Sequence, residues 1–200
     1  MEKLREREHD FSSKLKQDGT FQRLKDYIQW QRECDANAPD RGLPVFSPIS
    51  INLDLTSPCN FSCPFCVDSK LINAGKSLPF EEVKKTINTL HSHGLLSVIL
   101  IGGGEPTLHK DFGEIVHYIK SKRLQVGIVT NGSRLEKIEA VVEVLKEKDW
   151  IRISIDAAGE RVFKDLHLPK TKVTLGRILE KAKMVKKKNP VVSLGYSFVV

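Results

Sequence analysis

Two hundred residues, 40% of them apolar and 28% charged, suffice to bury one substantial core, and that composition excludes a disordered or fibrous chain. No apolar run approaches the length that spans a bilayer, and the charged start Met1-Glu-Lys-Leu-Arg5 is unlike a secretory signal, so the expectation is a cytoplasmic protein with no membrane partner. The formal charge of +7 is scattered, and its densest part, Lys181, Lys183 and Lys186 to Lys188, falls on the polar side of one expected helix, which argues against a nucleic-acid partner.

Residues 1–45 read as an N-terminal helical appendage and linker. Thr20 is placed to cap a helix in which Phe21, Leu24 and Ile28 recur at helical spacing, with Tyr27 and Trp30 nearby, and this helix is expected to pack on the main body. The Pro, Gly and Asp content between Asn37 and Pro44 marks the linker.

Residues 46–200 alternate strand and helix. Strands are expected at Ser50 to Leu55, Leu95 to Ile101, Leu124 to Thr130, Trp150 to Asp156 and Val191 to Val200. A helix from Pro79 to Ser92 carries Val83, Ile87 and Leu90 on one face and stops at Gly94. Asp111 with Glu114, and Ser133 with Glu136, have the reciprocal capping pattern and open two more helices. A shorter helical stretch follows around Glu160 to Leu166, and Thr174 begins a helix with Leu175, Ile178, Ala182 and Val185 on one stripe. The chain then ends in an apolar run with no turn signal, which reads as a core truncated after its fifth strand.

Such alternation implies an α/β fold with parallel pairing, either doubly wound or curled into a partial barrel. Parity favours the curled sheet. Ile51, Leu53 and Leu55 alternate with Asn52, Asp54 and Thr56; Ile151, Ile153 and Ile155 with Arg152, Ser154 and Asp156; Leu194, Tyr196 and Phe198 with Ser193, Gly195 and Ser197. A sheet covered by helices on both faces does not alternate in this way, whereas a partial barrel with a polar concave face does. The competing arrangement has helices on one face and solvent or another chain on the other.

Two clusters carry chemistry. Cys59, Cys63 and Cys66 lie on the loop after the first strand, and Cys34, the remaining cysteine, stands apart. Three thiolates suit a cubane iron–sulfur cluster whose fourth iron stays open, while a structural zinc would need a fourth ligand from elsewhere. Gly102-Gly-Gly-Glu-Pro-Thr107 follows the second strand; its glycines allow a ligand close to the backbone, and Glu105 offers a carboxylate to an amine. His91 and His93 read as helix-terminal residues, His109 as a loop or catalytic residue. Asn52, Asp54 and Arg152 either face substrate or satisfy one another.

Together these motifs resemble the radical S-adenosylmethionine (SAM) superfamily from Ser50 to the end of the chain: Cys59, Cys63 and Cys66 with Phe65 before the last cysteine, then Gly103-Gly104-Glu105-Pro106, Thr130-Asn131-Gly132 and Ser154-Ile155-Asp156. The resemblance implies a [4Fe-4S] cluster on the three cysteines, with SAM chelating its free iron. Gly103, Gly104 and Glu105 would hold the methionine amine, Phe65 would lie near the adenine, and Ser154 would contact the cofactor with Asp156 or Asn131. It also implies an electron donor such as flavodoxin or ferredoxin and a radical enzyme acting on a peptide or small metabolite, and it singles out no catalytic side chain. Its competitor is a non-catalytic iron–sulfur or zinc-binding module.

Overall fold

The computed structural model describes residues 20–37 and 44–198. The rest of the expected appendage and linker, and the last two residues of the expected fifth strand, lie outside them. Five strands, β1 (Ser50–Leu53), β2 (Ser97–Leu100), β3 (Gln125–Thr130), β4 (Trp150–Ser154) and β5 (Ser193–Ser197), pair in parallel in the order of the chain. Parallel neighbours need a crossover at each step. These are α2 (Phe80–Ser92), α3 (Phe112–Ser121) and α4 (Leu135–Val141), then α5 (Glu160–His167) and α6 (Leu175–Lys188) between β4 and β5.

One face of the sheet carries the core. Leu53, Val98, Leu100, Val126, Ile128, Ile151 and Ile153 are buried there with Val83 and Ile87 of α2, Ile115 and Ile119 of α3, Ile138 of α4 and Ile178 and Val185 of α6. The opposite face is the concave one, and strand register divides it into rows. Its polar character is confined to the outer strands. Asn52 is exposed and Arg152 and Ser154 half-buried, but β2 and β3 contribute Ile99 and Val129, so the floor is apolar in the middle. At Gly127 a side chain is excluded, because the indole of Trp150 on the neighbouring strand lies across its Cα.

The edge strand departs from the expected alternation. Tyr196 and Phe198 are 42% and 54% exposed, and they stand on the parity that is buried in the four preceding strands. No described element covers them.

Two expected caps are not made. Asp111 and Arg134 precede α3 and α4 without a side-chain cap bond; the hydroxyl of Ser133 is engaged elsewhere, with Asn60. Thr174 does cap α6, accepting from the Arg177 N–H at 3.2 Å. The N-terminal helix α1 (Thr20–Asn37) also differs from expectation. Phe21 and Ile28 are exposed, and Thr20 Oγ1 is buried without a partner. The helix is attached instead through Arg23, whose Nη1 donates to the carbonyl oxygens of Ser47 (2.8 Å) and His93 (3.3 Å) while the guanidinium lies over the Phe46 ring.

Candidate cofactor site

The cysteine loop hangs from the carboxyl end of β1 and is tied to the ends of three neighbouring elements. On the β2 side, the backbone N–H groups of Gly104 and Glu105 donate to the carbonyls of Thr56 (2.8 Å) and Pro58 (2.9 Å). Two main chains approach this closely only because residue 104 has no side chain: a Cβ there would overlap the carbonyl oxygens of Ser57 and Pro58. Gly102 and Gly103, with φ of 77° and 63°, supply the left-handed turn that brings Gly104 round. Gly104→Ala is therefore expected to cost about 1–3 kcal/mol through overpacking and to lower retained iron after reconstitution. Gly176→Ala, where a Cβ meets nothing within 4 Å, should do neither; thermal melts and iron analysis check both.

On the β3 side a polar network replaces backbone pairing. Asn131 Nδ2 donates to Asn60 Oδ1 at 2.9 Å, and Asn60 Nδ2 donates to Ser133 Oγ at 2.9 Å. Asn131 Oδ1 accepts from the Ser133 N–H, which fixes the Asn131 amide. Beneath it lies Glu105, only 2% exposed. Its carboxylate accepts from the Thr107 N–H (3.1 Å) and hydroxyl (2.5 Å), the Thr130 hydroxyl (2.7 Å) and the Asn131 N–H (2.7 Å). Burial pushes the Glu105 carboxyl upward, and these four donors pull it back. Glu105 does not present its carboxylate to an amine in the cleft, as the sequence had led us to expect; it holds together the ends of β2 and β3. The surface left to a ligand there is backbone.

On the far side, α5 delivers His167, a residue the motifs did not single out. It is 2% exposed and packed among Phe61, Phe65 and Phe163. Its Nε2 lies 2.7 Å from the Ile155 carbonyl and 3.4 Å from Asp156 Oδ2; a carbonyl only accepts, so Nε2 carries the proton. Nδ1 lies 3.2 Å from Cys63 Sγ. The His167 carbonyl also accepts from the Ser62 N–H, so the ring and main chain of one residue anchor the loop.

The three loop thiols are half-buried and free of disulfides. Cys63 is pushed up to about 11, first by burial and then by the neighbouring Cys59 and Cys66 sulfurs; Cys59 is raised too, chiefly by burial. A pKa near 11 leaves roughly 100-fold less thiolate at pH 8 than the ordinary value of 9.0. In the metal-free chain Cys63 should accordingly be alkylated by iodoacetamide about that much more slowly than free cysteine. Peptide mass spectrometry checks this, and an equal rate would contradict it.

The expected site residues fall into two groups. Phe65, 44% exposed on the cysteine loop, and Ser154, half-buried at the carboxyl end of β4 with no hydrogen bond from its hydroxyl among the described residues, line the carboxyl edge of the sheet. Gly103, Gly104, Glu105, Asn131 and Asp156 form the frame around it, Asp156 with a positive φ of 51°. His109 belongs to neither: Nδ1 accepts from the Asp111 N–H and Nε2 donates to the Leu78 carbonyl, so it closes a loop. The surface hollow of ≈ 440 Å³ lined by His91, Leu95 and Leu124 lies at the opposite, amino edge of the strands and shares none of these residues.

Five parallel strands with outer helices, and a three-cysteine loop strapped to a glycine turn at their carboxyl edge, define a partial β/α barrel. The pattern of the family described as the Radical SAM superfamily matches residues 54–198. The chain belongs to that superfamily. It is 32% identical over 127 residues to an S-adenosylmethionine-dependent nucleotide dehydratase of Selenomonas ruminantium, covering 63% of this chain and 42% of that one. It is 32% identical over 123 residues to the mycofactocin maturase MftC of Mycolicibacterium smegmatis, covering 62% and 31%. Among solved structures, Streptococcus suis SuiB bound to its precursor peptide SuiA superposes with a TM-score of 0.67 at 16% identity over 88% of this chain and 37% of that one, a likeness of fold. The chain thus spans less than half the length of these relatives. Among the described residues no helix is long and apolar enough to cross a membrane.

The donor set fits an iron–sulfur cubane. Three thiols stand on one loop, close enough to raise one another's pKa, and a cubane takes one thiolate on each of three irons.

Proposed function

We propose that the chain is the core of a radical SAM enzyme. Cys59, Cys63 and Cys66 hold a [4Fe-4S] cluster that, when bound and reduced, delivers an electron to the sulfonium of SAM, giving methionine and a 5′-deoxyadenosyl radical that takes hydrogen from a substrate. The reading is supported above all by the backbone strap from Gly104 and Glu105 to Thr56 and Pro58, which ties the glycine turn to the three-cysteine loop.

Each residue then has a physical task. Gly103 and Gly104 bring backbone polar groups to the methionine amine, and Glu105 keeps that turn rigid from below. Phe65 gives the adenine an aromatic face and Ser154 supplies a hydroxyl, with Asn131 and Asp156 fixing the rim. The apolar centre of the floor, Ile99 and Val129, keeps water away from the reacting atoms. Flavodoxin or ferredoxin is the class of electron donor. The relatives named above include a nucleotide dehydratase and a structure with bound peptide, so the substrate is a peptide or a small metabolite.

The test is anaerobic reconstitution with iron and sulfide, reduction with dithionite and addition of SAM. Equimolar methionine and 5′-deoxyadenosine are expected. Tightly bound zinc without a cluster, or a reducible cluster that leaves SAM intact, would overturn the reading.

A further inference from the structure

We infer that Arg152 binds an oxyanion of the substrate, a carboxylate or phosphate, on the concave floor one layer below the SAM site. The inference rests on the reading just given for the rim and assigns a chemical class to what lies beneath it.

Arg152 stands in β4 between Ile151 and Ile153, both buried in the outer core, so its side chain leaves the sheet on the concave face. Its neighbours in register are Val129 on β3 and Gly195 on β5. Neither offers a side-chain acceptor. The sequence had left open that Arg152 and Asp54 satisfy each other. The register sets them in one row but three strand spacings, or about 14 Å, apart. Asp54 is turned towards the glycine motif instead, where a Cβ on Gly102 would lie 2.6 Å from its Oδ1. Arg152 Nε is buried with no hydrogen-bond partner, and the residue has no ion pair among the described residues.

Nε itself is sealed from outside, but the two Nη groups are neither sealed nor hydrogen-bonded, so that edge of the guanidinium is left to an acceptor from outside the chain. The planar fork matches two oxygens of a carboxylate or phosphate. Depth separates this site from that of SAM. Arg152 is two residues before Ser154, about 7 Å further down the strand from the rim. Trp150, two residues deeper again, lies across Gly127 and closes the floor. A molecule anchored on Arg152 rests its apolar part on Ile101 and Val129 and points its other end at the rim, where the hydrogen is taken.

Trp150 also reports on this site. The chain has two tryptophans, so Trp30→Phe leaves it alone. The metal-free Trp30→Phe chain is titrated with pyrophosphate and with succinate at constant ionic strength, and SAM binding is measured separately by equilibrium dialysis on the reconstituted protein. A saturable change in Trp150 emission with one of the two anions is expected, and identifies phosphate or carboxylate. Arg152→Gln should weaken that binding at least tenfold and Arg152→Lys less, the charge-keeping variant separating loss of charge from loss of fold. The inference fails if neither anion gives a saturable signal, if Arg152→Gln binds the anion as tightly, or if it weakens SAM rather than the probe anion. Because the titration uses metal-free protein, its outcome is independent of whether reconstituted protein cleaves SAM.

Discussion

Glu105→Ala lowers the melting temperature by about 8–16 °C. The substitution leaves four donors without their acceptor, three of them buried, the Thr107 N–H and hydroxyl and the Thr130 hydroxyl, and one part-buried, the Asn131 N–H. Each orphaned group costs about 1–3 kcal/mol. The low end applies, since removing the carboxylate also relieves its own desolvation, and gives a total of about 4 kcal/mol. A chain of this size loses about 2–4 °C per kcal/mol. Glu105→Gln is the sharper probe of the site. Its amide oxygen still accepts from the threonines, but its NH₂ then faces the Asn131 N–H, donor against donor. The Asn131–Asn60 bond should loosen with a smaller loss of stability, and SAM affinity should fall by more than the melting temperature suggests. Melting curves by circular dichroism and equilibrium dialysis of SAM check the pair. An alanine variant as stable as the parent would show that Glu105 does not clamp the strand ends.

Cys63→Ala abolishes the broad visible absorption of the reconstituted cluster and reduces SAM cleavage to background. The same is expected of Cys59→Ala and Cys66→Ala, because a cubane left with two protein thiolates has two open irons and is lost to chelators. Cys34→Ala is the internal contrast. Cys34 lies on α1, whose described attachment to the body runs through Arg23, so its removal should leave iron content unchanged. Iron analysis with the visible spectrum checks all four variants. Retention of the cluster by Cys63→Ala would remove that residue from the ligand set.

The parts of the fold visible in the sequence are those written in local pattern. The β/α alternation, the helix faces of α2 and α6 and the outward parity of Ile151 and Ile153 each depend on one element at a time, and each is found where expected. The hidden parts depend on several segments at once. Nothing in Gly102-Gly-Gly-Glu-Pro-Thr107 tells that its carboxylate turns inward, because two of the partners, Thr130 and Asn131, come from a strand 25 and 26 residues away. Ser133 has the local signature of a helix cap and serves Asn60 from 73 residues away instead. His167 carries no motif at all; its position at the end of a short helix next to left-handed Leu168 is the one local hint that the chain turns sharply there. The exposed Phe21 and Ile28 show the converse, a helical stripe in α1 that the described core does not bury. Arg152 was visible by parity, but its lack of a partner depends on register across four strands.

On the proposed function, the three-cysteine loop leaves one metal position open beside the glycine turn and SAM takes it. Electron paramagnetic resonance of the reduced, reconstituted chain with and without SAM tests this most directly. A reduced-cluster signal whose g values shift when SAM is added is expected, with a weaker shift in Gly104→Ala, where the turn is pushed off the cysteine loop. A reduced cluster whose signal is identical with and without saturating SAM would contradict it.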